Sequence, residues 1–354
     1  MLPRKGKRTQ KPDEDTPKKP VTLKSLAQYL SLSPATVSIV INQTPLSASI
    51  PETTKLRVMQ AARKFNYRPN IIARSLRQQR TYSVGVLIPE LSDGYSAMVL
   101  SGIEDFLLKK GFAWLAASHR HKKQLLLEYP KLLYDRAVEG LILVDTPIET
   151  DIPCPVICVS GHMVRAGVTN IVLNHDRAAE LALGHLASLG HKRIAFIKGQ
   201  AFSSDTDIRW RSIQTIAKRL GLEVSAGLTS QMHSYSPSPE VGYDAMKKIL
   251  SSGEPFTALF AFNDISAIGA IRALQESGRR VPEDVSVVGF DDIRGAAFHI
   301  PSLTTIRQPL HQMGSLAAEK LLEKINAPNG EFPATLQVEP KLMVRESTAR
   351  VKNK

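Results

Sequence analysis

From Thr22 to Phe65 the apolar positions recur every three or four residues, the period of a helix with one buried face. Leu23, Leu26, Ala27 and Leu30 make a first stripe, and Thr22 stands where an N-cap belongs. Ser31-Leu32 interrupts it. Ser33-Pro34 is then a cap followed by proline at the first helical position, a start signal for a second helix. That helix has Val37, Val40 and Ile41 as its stripe, which leaves Ala35, Thr36, Ser38 and Ile39 outward. Ser49-Ile50-Pro51-Glu52 fits a capping box, and Leu56, Met59, Ala62 and Phe65 predict one face of a third helix. Two helices joined by a tight turn, the second with small residues outward, have the form of a helix-turn-helix whose second helix fits a major groove. Residues 70–76 read as about two more helical turns, too short to be stable alone in water.

After Arg80 the pattern changes. The apolar runs SVGVLI, FAWLAAS, GLILVD, PVICVS, RIAFIKG, TALFAF and VSVVGF alternate with helical segments. The helices are predicted around Tyr95–Lys110, Lys122–Arg136, Asp176–Leu189, Ile208–Leu220, Val241–Leu250 and Ile265–Ser277. Such alternation implies parallel sheets with helices on both faces, and this length favours two sheets over one. The fold class is thus an all-α N-terminal headpiece followed by an α/β core of two parallel-sheet subdomains.

Charge divides the chain at the same place. Residues 1–80 hold 16 Lys+Arg against 4 Asp+Glu, which is +12 of the chain's +13. Basicity confined to one small helical region points to a polyanion, and to nucleic acid in particular. Residues 1–20 mix charge with proline and almost no apolar content, so a disordered tail is expected there. Cys154 and Cys158 are too few for a disulfide framework and sit in an apolar strand pattern. No apolar run reaches the length of a membrane span and the first 30 residues show no signal-peptide pattern, so a cytoplasmic location is expected. Phosphate-loop, dinucleotide, zinc-protease and serine-hydrolase motifs are missing from the sequence, and its nine histidines show no metal-ligand spacing. No enzyme activity, cofactor or metal is expected.

The runs VTLKSLAQYLSLSPATVSIVIN, FNYRPN and ARSLR resemble the headpiece of the LacI/GalR family of bacterial transcription regulators, and the similarity continues through most of residues 21–348. The resemblance implies a headpiece over 21–67, a hinge helix and linker over 68–80, and a periplasmic-binding-protein-like core over 81–348. It divides that core into one subdomain of about 81–189 plus 308–336 and another of about 190–307 plus 337–348, with 349–354 as a tail. The first crossover would fall near Leu189–His191.

By position in the motif, Pro34, Ala35 and Ile39 fall on base-reading positions, with Ile39 where the family commonly has arginine. An apolar Ala35/Ile39 pair can meet thymine methyls, or Ile39 can pack on the third helix. Thr36 and Asn42 cap the helix or contact phosphate, and Thr22, Ser33, Ser38, Tyr67, Asn70 and Ala73 complete the implied DNA surface. Leu76 matches the hinge-helix leucine that wedges into the minor groove, with Arg74 and Arg77 on phosphate.

For the core, the resemblance implies a small-molecule effector, most simply a sugar or sugar derivative, held by Tyr95, Arg209, Asn263, Asp264 and Asp291. Asn263 and Asp291 also sit at the carboxyl ends of predicted strands, where parallel sheets bind ligands. Ser203-Ser204-Asp205 adds polar groups at another strand end, and Trp210 offers either a stacking face or a core residue. The implied function is a homodimeric DNA-binding repressor of a pseudo-palindromic operator. Alternatives are control by a protein partner or a phosphorylated metabolite, or, in another class, a solute-binding protein of a transport system.

Overall fold

The computed structural model describes residues 21–68, 75, 78–92, 94–147, 151–233 and 238–352. Residues up to Arg80 and from Thr81 onward form two compact units.

The first unit holds α1 (Leu23–Leu30), α2 (Pro34–Ile41) and α3 (Glu52–Lys64), with a 3-10 turn at Pro45–Ser49. Leu26, Ala27, Leu30, Val37, Val40, Val58 and Ala61 form its core, and Ile41 and Phe65 pack against it. The start of α3 differs from expectation. Ser49 ends the 3-10 turn, where its hydroxyl donates to the Leu46 carbonyl at 2.8 Å, and Pro51 precedes the helix without a side-chain cap. The capping box is therefore not formed. The buried stripe of α3 also runs through Val58 and Ala61, leaving Leu56 59% exposed. The expected disordered tail (1–20) and most of the expected hinge helix, including Asn70, Ala73, Arg74, Leu76 and Arg77, lie outside the described residues.

The second unit contains two six-stranded sheets. The first is built from β1 (Ser83–Ile88), β2 (Ala113–Ser118), β3 (Leu141–Val144), β4 (Val156–Val159), β5 (Val168–Leu173) and β11 (Thr335–Val338). Its order is β11-β5-β4-β3-β1-β2, parallel throughout. The second is built from β6 (Ile194–Lys198), β7 (Thr229–Gln231), β8 (Ala258–Ala261), β9 (Ser286–Asp291), β10 (Thr304–Arg307) and β12 (Lys341–Met343). Its order is β12-β10-β9-β8-β6-β7, with only the β10–β12 pair antiparallel. Central strands are buried along their whole length, as parallel strands covered on both faces must be.

Helices α4 (Gly94–Lys109), α5 (Lys123–Asp135) and α11 (Leu310–Asn326) cover the first sheet, and α6 (His175–Ser188), α7 (Ser204–Arg219), α8 (Glu240–Ser251), α9 (Asp264–Glu276) and the short α10 (Arg294–Phe298) belong with the second. The contact between α4 and α11 is close enough to demand glycine. A Cβ on Gly102 would lie 1.9 Å from the His311 carbonyl oxygen, and one on Gly314 would lie 2.0 Å from that of Val99.

One boundary moves. Helix α6 packs on α7 and against β10 and β12, burying Ala178, Ala182, Leu183 and Leu186. The chain therefore passes to the second sheet at the β5–α6 junction, not near Leu189–His191. It returns between β10 and α11 and crosses again between β11 and β12. The expected tail is also partly anchored: the Ala349 amide donates to Ser286 Oγ at 2.9 Å, and the Val351 amide to the Leu189 carbonyl at 3.0 Å.

Candidate DNA-reading surface and ligand cleft

In the first unit, the caps fix the helix-turn-helix. Thr22 Oγ1 accepts from the Ser25 amide at 3.1 Å, and Ser33 Oγ accepts from the Thr36 amide at 3.0 Å. At the other end of α2, Asn42 Nδ2 donates to the Ser38 carbonyl at 2.8 Å. Thr22, Ser33 and Asn42 thus have structural duties whatever else they touch. Pro34 and Ala35 are exposed, while Thr36, Ser38 and Ile39 are half-exposed. Ile39 does not join the headpiece core; Tyr67 does, and burial pushes its phenol above the ordinary value.

In the second unit, the carboxyl ends of both sheets meet across a cleft. It is lined by Tyr95, His121 and Asp145 from the first subdomain and by Phe202, Asp205, Arg209, Asn263 and Asp291 from the second, with Gln308 at the return crossover. Its void is about 100 Å³. The strand ends are bent into it by backbone in the left-handed region at non-glycine residues: φ is +39° at Asp145, +53° at Ser160 and +103° at Asp291. Such strain gathers where a fold must aim side chains at a ligand.

The polar groups are tightly held. Tyr95 Oη donates to Ser160 Oγ at 2.5 Å; burial, then the charges of Asp205, Asp145 and Asp291, push its phenol well above the ordinary value. Gln308 Nε2 donates to Asp291 Oδ1 at 2.6 Å. Arg209 is buried with its guanidinium carbon 4.3 Å from the Phe262 ring centroid and 3.6 Å from that of Phe290. Its Nη1 donates to the Phe262 carbonyl at 2.6 Å, and its Nη2 lies 3.6 Å from Asp205 Oδ2. Burial lowers its pKa, opposed by the carboxylates of Asp205 and Asp291. Two buried atoms here have no partner among the described residues, Arg209 Nε and Gln308 Oε1. A buried polar atom left unserved is costly, and both atoms belong to side chains that line the cleft. Near the mouth, His121 and Phe202 bring their rings to 4.1 Å between centroids.

Not every expected residue reaches the cleft. Tyr95, Arg209, Asn263 and Asp291 do, although Asn263 also spends its side-chain oxygen on the Ser266 amide at 2.9 Å, capping α9. Asp264 does not. It is fully buried behind the cleft, where Oδ1 accepts from Thr305 Oγ1 at 2.6 Å and Oδ2 from the Ile293 amide at 2.8 Å. It braces β10 and the β9–α10 loop, and burial pushes its carboxyl up to about 7. Trp210 takes its core alternative, edge-on to Phe196 at 5.6 Å.

Asp145, His121, Phe202 and Gln308 went unread in the sequence. Asp145 follows GLILV as Asp291 follows VSVVGF, so the strand-end rule applied evenly would have found it. The histidines also hold a cluster that sequence spacing hid: His162, His175 and Asp205 bring ligand atoms within 4.8 Å of one another.

Two family profiles match this chain: "Bacterial regulatory proteins, lacI family" over residues 22–70 and "Periplasmic binding protein-like domain" over 183–348. An HTH-type transcriptional repressor named PurR from Aliivibrio fischeri (strain MJ11) is 32% identical over 334 residues, covering 92% of this chain and 98% of the relative. The chain belongs to the lacI family of bacterial regulatory proteins. Among solved structures, the Lac repressor dimer bound to operator and the anti-inducer ONPF superposes with a TM-score of 0.81 at 26% identity, covering 94% of this chain and all of that one. The complex of the transcriptional regulator CelR with cellobiose gives 0.69 at 27% identity, covering 92% of this chain and 99% of that one. As a lacI-family DNA-binding repressor with a periplasmic-binding-protein-like core, the protein is not an enzyme. Among the described residues, no helix is long and apolar enough to cross a membrane.

Proposed function

We propose that this lacI-family repressor binds a pseudo-palindromic operator as a homodimer in the cytoplasm and is released or engaged by a small, neutral, polyhydroxylated effector held in the cleft. The observation that carries the effector reading is the convergence of Asp145, Asp291, Arg209 and Gln308 on one space, with Arg209 Nε and Gln308 Oε1 unserved. Carboxylates, an amide and a guanidinium serve hydroxyl groups as both acceptors and donors, while rings such as Phe262 and Tyr95 can cover the apolar face of a pyranose or furanose. Glu90, Asp145, Asp205 and Asp291 outnumber Arg209 in the lining, and this excess of negative charge disfavours a phosphorylated ligand. A relative of similar fold holding cellobiose supports the same class.

On the DNA side, the exposed face of α2 offers Pro34, Ala35 and Ile39, with no guanidinium or amide for bidentate base pairing. Thymine methyls are the base features that such a face meets best. The hinge helix that the family resemblance implies within 68–80, with Leu76 in the minor groove, rests on that resemblance alone, because most of it lies outside the described residues. Effector binding would change the angle between subdomains and so shift the DNA-bound population.

The test is a thermal-shift panel on the full-length protein with neutral sugars, phosphorylated sugars and free nucleobases. A neutral sugar should raise Tm, and Arg209→Lys should abolish the rise. A response confined to a phosphorylated sugar or a flat heterocycle would replace the proposed effector.

A further inference from the structure

Beside the effector cleft, three side chains from separate parts of the second unit turn the same kind of atom to one point. His162 lies in the loop after β4, His175 is the first residue of α6 at the crossover, and Asp205 is in the first turn of α7. His162 Nε2 is 2.8 Å from Asp205 Oδ1, and His175 Nε2 is 3.2 Å from the same oxygen. His175 and Asp205 are buried, whereas the His162 side chain is 21% exposed. The other carboxylate oxygen, Oδ2, faces Arg209.

We propose that His162, His175 and Asp205 form a binding site for one divalent transition-metal ion of the zinc type, tying a loop of the first subdomain to a helix of the second across the crossover. Two imidazole nitrogens and a carboxylate are a donor set that favours zinc, cobalt or nickel over magnesium or calcium. Metal–ligand bonds of about 2.0–2.1 Å put neighbouring donors roughly 2.8–3.0 Å apart in octahedral geometry and roughly 3.3–3.4 Å apart in tetrahedral geometry. Both nitrogen–oxygen separations already fall near those ranges. The two imidazole nitrogens, which lie within 4.8 Å of one another, would draw together to complete the site.

The carboxylate is charged and ready: burial opposes its ionisation, but His175, His162 and Arg209 together hold it well below the usual carboxylate range. Without a metal, both rings crowd one oxygen, and His175 Nδ1 is buried with no partner among the described residues. Coordination through Nε2 moves the ring proton to Nδ1 and leaves the same number of unserved atoms, so the ion adds no new penalty there. Arg209 is an opposing charge close by, but it pairs with Oδ2 of Asp205 at 3.6 Å and leaves Oδ1, the oxygen the two imidazoles share, to the ion. Three protein ligands leave at least one coordination position for water, as in open zinc sites.

The test needs no effector and does not depend on the sugar reading. Full-length protein, freed of metal with a chelator, is titrated with Co²⁺ and followed by its visible d–d absorption, then with Zn²⁺ in competition. One equivalent should saturate at micromolar concentration. His162→Gln, in a partly exposed ring, should weaken binding at least tenfold, and Asp205→Asn likewise. His311→Gln, in a surface pair with Asp105, should leave it unchanged. Thermal melts without metal establish that each variant is folded. Failure to saturate, or equal affinity in parent and His162→Gln, would overturn the site.

Discussion

Asp264 shows how a carboxylate beside a binding site can be wholly structural. Its folded-state pKa is raised from 3.8 to about 7, so between those values the folded chain holds a proton that the unfolded chain has lost. Stability from this group is therefore complete at low pH and falls as pH rises through that window. Asp264→Asn should flatten this part of the pH profile, and denaturant melts from pH 4 to 8 would read the difference between parent and variant. On the DNA-reading face, Ile39→Ala should weaken operator affinity roughly fivefold, the loss of about 1 kcal/mol of methyl contact, while leaving Tm nearly unchanged. A large fall in Tm would mean that Ile39 packs on the headpiece after all. At this scale the sequence was informative where a motif or a strand end fixed a position. Arg209 and Asp291 could be placed by motif and strand end. Asp264 could not, because Asn263-Asp264 reads identically whether the second residue faces the ligand or the core. His162, His175 and Asp205 were illegible together, since only the fold brings positions so far apart into contact.

Among the elements, strands buried on both faces were plain as apolar runs, and most helices as periodic segments between them. Strand β5, VTNIVL, was missed because Thr169 and Asn170 interrupt the continuous apolar run that marked β3 and β4. Strands β7 and β12 have three residues each, too few for any period to register. The α4–α11 contact sets a sharp expectation. Gly314→Ala drives a methyl group against the Val99 carbonyl and should cost on the order of 2–3 kcal/mol, seen as a lowered unfolding midpoint of the core. In the headpiece, Ser33→Ala removes the α2 cap and should cost about 1 kcal/mol, read as lower operator affinity without loss of the core's Tm.

For the whole molecule, the two-sheet architecture followed from alternation and length, and the basic headpiece from where the charge lies. The first crossover did not follow. A helix after a strand packs on whichever sheet offers a matching groove, and α6 chose α7, β10 and β12 through a small-residue face that carries no label in one dimension. That choice puts His175 at the junction of the two subdomains, where any change of cleft angle is felt. The central claim, that an occupied cleft governs the grip on DNA, is tested most directly by titrating the full-length protein against a fluorescent palindromic operator, with and without a panel of neutral sugars. Binding should weaken steeply with salt, with log K falling against log salt at a slope on the order of −5 or steeper. One neutral sugar should shift the midpoint at least tenfold in the parent and leave Arg209→Lys unmoved. An operator affinity that no compound changes, or an equal shift in Arg209→Lys, would contradict the account.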